Sequence, residues 1–120
     1  MKNYVTLAVL MTLFGYSTGE AKLKVTGRGD KMNFSADGIS EMYKPSFDLM
    51  QVKCIKCHTM ERTVISIQTG RAPITGQPFN KQAVKAYGIK MLRKPDSNIN
   101  KKEIRDIVVL LNYLLDEEAK

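Results

Sequence analysis

The chain has 120 residues, with 19 Lys and Arg against 12 Asp and Glu, a formal net charge of +7. That length fits one small domain, and the basic balance favours acidic partners. Nucleic acid would also suit the charge, but the chain carries no nucleic-acid motif, so no nucleic-acid partner is expected. There are two cysteines and one histidine, and a structural zinc site, which usually takes four Cys or His ligands, is short of donors.

The N-terminus reads as an export signal over residues 1–21. Lys2 supplies the positive charge, and Tyr4 to Tyr16 is an apolar run of h-region length. Ser17-Thr18-Gly19 and Gly19-Glu20-Ala21 both offer small residues for cleavage, with cleavage after Ala21 preferred. The run is too short to span a bilayer comfortably, so no stable membrane insertion is expected after cleavage; the alternative is an uncleaved anchor. Cleavage removes only Lys2 and Glu20 among charged residues, so the mature chain of about 99 residues keeps the same net charge.

Residues 22–44 show no clear helix period and read as an extended lead-in with one short strand, turning at Gly27-Arg28-Gly29-Asp30. The main domain is expected over 45–120. A first helix runs from Pro45 to Lys53, where proline suits the first turn. Phe47, Met50 and Cys54 then share one face, and Met50 reads as core.

That helix leads into Cys54-Ile55-Lys56-Cys57-His58. This is a C-x-x-C-H run, the attachment signature of one covalent c-type haem. Two thiols that add across two vinyl groups must sit about one turn apart, and Cys54 and Cys57 at i and i+3 do so. His58 follows directly as the proximal iron ligand. A redox dithiol is the competing reading, but it wants a strand entering the motif within a βαβ pattern, and helix is expected there.

After His58 the chain reads as mostly irregular to Gly76, with Val64, Ile65 and Ile67 covering one haem edge. Arg71 to Gly76 is a turn-rich loop. A short helix follows from Asn80 as N-cap to Tyr87, closed by Gly88 at C′. Ile89-Lys90-Met91 and a polar loop from Arg93 to Asn98, broken by Pro95, precede the last helix. Asn100 and Glu103 make a capping-box-like start. Ile104, Ile107, Val108, Leu111, Leu114 and Leu115 recur at helical spacing, and Val109, Leu110 and Tyr113 widen the stripe beyond one face. Asp116, Glu117 and Glu118 sit at the negative end of the helix, where fraying is expected.

From Pro45 to Leu115 the chain resembles a single-haem class I cytochrome c. The motif, a proline loop, a methionine and a closing helix with Tyr113-Leu114 follow in family order. Ser46 and Met50 stand where the family often has Gly and an aromatic. Small periplasmic monohaem cytochromes of metal-reducing bacteria are the nearest members by this likeness. The resemblance implies a mostly α, small cytochrome c fold, with three to four helices wrapped around the haem. It implies a monomeric electron carrier in the periplasm, since bacterial c-type haem is attached outside the cytoplasmic membrane.

The resemblance also gives Pro73 as the residue whose carbonyl accepts the His58 Nδ1 proton. It gives Met91 as the distal ligand, because Met32 and Met42 precede the motif, Met50 points to core and Met60 is too near His58. A thioether favours ferrous iron and raises the potential. Lys53, Lys56, Lys81, Lys85, Lys90 and Lys94 are candidates for a basic rim that meets acidic redox partners, or are solvated surface charges. The rival function is a haem-based ligand-binding or sensor module with an open distal site. A peroxidase is disfavoured because no second histidine can serve as a distal acid–base group, so no enzyme activity is expected.

Overall fold

The computed structural model describes residues 23–120; the expected signal segment and Lys22 lie outside the described residues. Four α-helices carry most of the chain: α1 (Lys44–Lys53), α2 (Met60–Thr69), α3 (Lys81–Arg93) and α4 (Lys101–Glu118). Among the described residues, no helix is long and apolar enough to cross a membrane.

The last helix, α4, is the spine, and α1, α2 and α3 all pack on it. Asn100 starts it by accepting the Glu103 backbone N–H at 2.8 Å, and its side-chain amide donates to the Glu103 carboxylate at 2.7 Å. Ile104, Ile107, Leu110, Leu111 and Leu114 are buried along it, each worth about 1.5–3 kcal/mol relative to exposure. Val109 departs from the expected wide stripe and is 55% exposed. The acidic end is helical through Glu118. Lys81 pairs with Asp116 at 2.8 Å and Lys120 with Glu117 at 2.6 Å, which offsets the unfavourable charge of the helix terminus.

Helix α1 matches the sequence reading, with Pro45 in its first turn and Phe47 and Met50 buried. It packs on α4, and Ser46 stands half-buried in its first turn. At its other end Lys53 donates to the Asn98 carbonyl at 2.7 Å and lies 3.4 Å from the Glu103 carboxylate. The end that enters Cys54 is thereby tied to the start of α4.

The lead-in is more structured than a single strand. Strands β1 (Val25–Thr26) and β2 (Asn33–Phe34) pair antiparallel around a turn. The turn is tight at Gly27, where φ is +74° and a Cβ would fall 2.2 Å from the Lys31 carbonyl oxygen. Phe34 and Ile39 enter the same core as the helices. Tyr43 stacks on Tyr113 with ring centroids 4.1 Å apart, and the Ser40 N–H donates to the Tyr113 hydroxyl at 3.1 Å. Residues 23–43 thus share the hydrophobic core of the helical part.

Two expectations are corrected. Residues 60–69, expected as irregular, form α2, which ends at Gly70 in the left-handed region with φ +68°. Val64 and Ile67 are core residues. Gly88 does not end α3, which runs on to Arg93. A Cβ at Gly88 would lie 3.0 Å from Val108 Cγ2 and 3.3 Å from Ile104 Cγ2. The glycine is there to let two helices approach, and no positive φ is required of it.

Candidate cofactor cleft

Cys54 to Lys56 form a single 3₁₀ turn that continues α1 and delivers the motif to the head of α2. Cys54 is buried and Cys57 exposed, both as free thiols. Residues at i and i+3 eclipse one another in such a turn. Burial first, and the neighbouring Cys57 second, push the Cys54 thiol up to about 11. A thiol held protonated in this way is a poor nucleophile at neutral pH, unlike the attacking cysteine of a dithiol oxidoreductase. A helix, not a strand, enters the motif, and β1 and β2 are the only paired strands among the described residues. Among the described residues no cluster of three His, Cys, Asp or Glu could hold a metal ion by itself.

Beside the motif lies a cleft of about 350 Å³, within the range of small-molecule and cofactor sites. Its floor is Met50, Ile107 and Leu111, three buried side chains from α1 and α4. Cys54, His58, Arg62, Thr63 and Ser66 line it from the motif and α2. Tyr87, Lys90 and Met91 line it from α3, with Lys94 just beyond. Ala72 to Thr75 and Phe79 complete it. Arg62, Pro73, Ile74, Thr75, Lys90 and Lys94 are exposed and mark the mouth.

The sequence-derived candidates Cys54, His58, Pro73 and Met91 therefore face one space, although Met91 stands 33 positions after His58. Cys57 does not line it and is exposed, near enough to Cys54 to influence its charge. His58 is half-buried, and its Nδ1 lies 2.9 Å from the Thr59 carbonyl oxygen, not that of Pro73. The adjacent carbonyl is reached with no further ordering of chain. Met91 lies in the last turn of α3, not in a loop, and is fixed by the helix.

The loop of residues 70–79 is braced from within. Ala72 N–H donates to the Gln77 carbonyl at 2.9 Å, and the Arg71 guanidinium donates to the Gly76 carbonyl at 2.9 Å. This holds Pro73 and Ile74 at the mouth, where Ile74 is 69% exposed. The sequence reading missed Arg62, Thr63 and Ser66. The signal was present, because His58, Arg62 and Ser66 recur every four residues, the spacing of one helical face.

The donors fit a covalent haem. One buried thiol with a second beside it, one imidazole and one thioether meet an apolar space with a basic mouth. Comparison of the chain with protein-family models, curated proteins and solved structures gives no match in any of the three.

Proposed function

We propose that the protein is an exported periplasmic electron carrier with a small cytochrome c fold around one covalent haem. The observation that carries this reading is that Cys54, His58 and Met91 line one apolar cleft next to Cys57. When bound, the haem iron supplies one-electron cycling between the ferric and ferrous states. The chain's own part is to hold, ligate and shield. Cys54 and Cys57 carry the thioether bonds. His58 and Met91 would be the residues that ligate the iron, and the hydrogen bond at His58 Nδ1 orients the ring so that Nε2 would be free for the metal. Met50, Ile107 and Leu111 are buried and exclude water from one end, which would raise the reduction potential of a bound haem by disfavouring the more charged ferric state.

Partner docking belongs to the same reading. Of the six candidate lysines, Lys53 is engaged with Glu103 and Asn98, and Lys81 with Asp116. Lys56, Lys85, Lys90 and Lys94 are exposed and in no ion pair among the described residues. An acidic redox partner would meet cations of this kind.

The deciding experiment is expression with the haem-attachment machinery, followed by mass spectrometry of the denatured protein. Polypeptide plus one haem is expected; a mature chain without added mass refutes the proposal. An absorption spectrum then tests ligation. Rapid carbon monoxide binding by the reduced protein would replace the carrier with a ligand-binding module that has an open distal site.

A further inference from the structure

The face of α3 and α4 turned away from the cleft is left open among the described residues. Tyr87 and Ile107 line the cleft. Ile89 and Val109 each stand two residues further on, about 200° round the helix, and so point the other way. Ile89 is 41% exposed and Val109 55%. Gly88 and Val108, their chain neighbours, bring the two helices together, so Ile89 and Val109 belong to one outward surface. The charges of α4 run against its own dipole. Lys101, Lys102 and Arg105 stand near its start and Asp116, Glu117 and Glu118 at its end, whereas a helix favours acids first and bases last. Lys81 and Lys120 relieve the acidic end. At the basic end Lys102 is paired with Asp106, but Lys101 and Arg105 are in no ion pair among the described residues.

Along this open face α4 steps by three and four residues through Lys102, Arg105, Val109, Asn112 and Asp116, the spacing of a coiled-coil seam. Bases at one end, a valine at the centre and an acid at the other end make the stripe complementary to its own reverse. We propose that a second copy of this chain docks here, α4 against α4, antiparallel about a twofold axis at Val109. Val109 then meets Val109 of the second copy. Lys102 and Asp116 lie seven residues, about 10 Å, on either side of Val109, so the twofold sets each opposite the other, twice per dimer. Arg105 enters the hole between Val109 and Asp116 of the second copy. The basic start of each α4 gains the negative end of the other helix, which its own dipole denies it. An acidic redox partner on this face would account for the basic end, but not for the acidic end or the exposed valine. The cleft lies on the far side of both helices, so each copy keeps its cleft open. The pairing replaces the expected monomer and does not depend on what the cleft holds.

The test is sedimentation equilibrium of the purified exported protein from micromolar to millimolar concentration, under a reductant that excludes a bridge through the exposed Cys57. The unsubstituted protein is compared with V109E, K102E, D116K and the K102E/D116K double variant. A concentration-dependent dimer is expected. V109E should weaken it at least about tenfold, because two like charges would be buried together at the axis. K102E and D116K should each raise the dissociation constant by about 2- to 30-fold, since each removes two exposed ion pairs. The double variant should restore most of the affinity, because the swapped charges again oppose one another across the twofold. All three positions are exposed, so the fold survives; unchanged far-ultraviolet circular dichroism checks it. A monomer at every concentration overturns the proposal, and weaker binding of a redox partner by V109E in that case gives the face to that partner. A dimer that V109E leaves intact places the contact elsewhere and also overturns it. Loss in both single variants without recovery in the double variant refutes the antiparallel register.

Discussion

Gly88 gives the sharpest test of the helical architecture. Replacing it with Ala should act through two opposed effects. A helix-interior Gly→Ala change gains about 1 kcal/mol of propensity. The new methyl, however, would sit 3.0 Å from Val108 Cγ2 and 3.3 Å from Ile104 Cγ2. Overpacking of a tight contact costs about 1–3 kcal/mol. The net expectation is a loss of about 0–2 kcal/mol. Val108→Ala deletes the nearer obstacle, so in that background Gly88→Ala should become neutral or stabilising by up to ~1 kcal/mol. The coupling from a four-protein urea-unfolding cycle on the haem-loaded protein should then be about 1–3 kcal/mol. If Gly88 instead ended the helix in a left-handed conformation, Ala would cost the same in both backgrounds. Additivity within ~0.5 kcal/mol would refute the close approach of α3 and α4, and with it the helical placement of Met91.

Met91→Ala should abolish the thioether-to-ferric-iron band in the far red and lower the reduction potential; survival of both would move the distal ligand elsewhere, with Met42 and Met32 next to be tried. Asn100→Ala removes the cap of α4 and should cost about 1 kcal/mol in urea unfolding, since the Glu103 N–H loses its acceptor. The association rate with the physiological partner should fall steeply with salt, and more weakly so in a Lys56→Gln, Lys85→Gln variant. A rate independent of salt would remove the acidic-partner proposal.

The elements legible in the sequence were those whose signals are local. Asn80 and Asn100 were read as N-caps from residue type, and both accept the expected backbone N–H, from Ala83 and Glu103. The apolar spacing of α4 fixed its buried face apart from Val109, because periodicity gives a stripe but not its width. Helix α2 was missed although Thr59 and Gly70 bracket it. Its polar first turn masked the spacing of Val64 and Ile67, and its stability comes from burying them against β2 and α4. Gly88 was misread because a helix stop and a close helix contact ask for the same residue. Only the position of α4, which is not local information, separates them. The motif residues could be named from spacing alone. That Arg62 and Lys94 share their cleft depends on the path of α2 and on where α3 ends.

Helix α3 shows how one element joins fold to site. Val84 and Gly88, one turn apart, are its buried residues, and Gly88 meets α4 through Val108 and Ile104. Tyr87, Lys90 and Met91 occupy the adjacent face at helical spacing and, with Lys94 just past the helix, line the cleft. The two faces cannot move independently, because a helix is rigid on the scale of one turn. Closing the α3–α4 contact at Gly88 therefore sets the depth at which the Met91 thioether enters the cleft, less than one turn away. A side chain carried on a loop would have to be ordered when it binds; one carried on this helix is ordered when the core packs. The same rigidity places the Lys90 ammonium and the Met91 sulfur on neighbouring radii of one turn. A thioether and an exposed cation on the cleft lining thus come from consecutive residues.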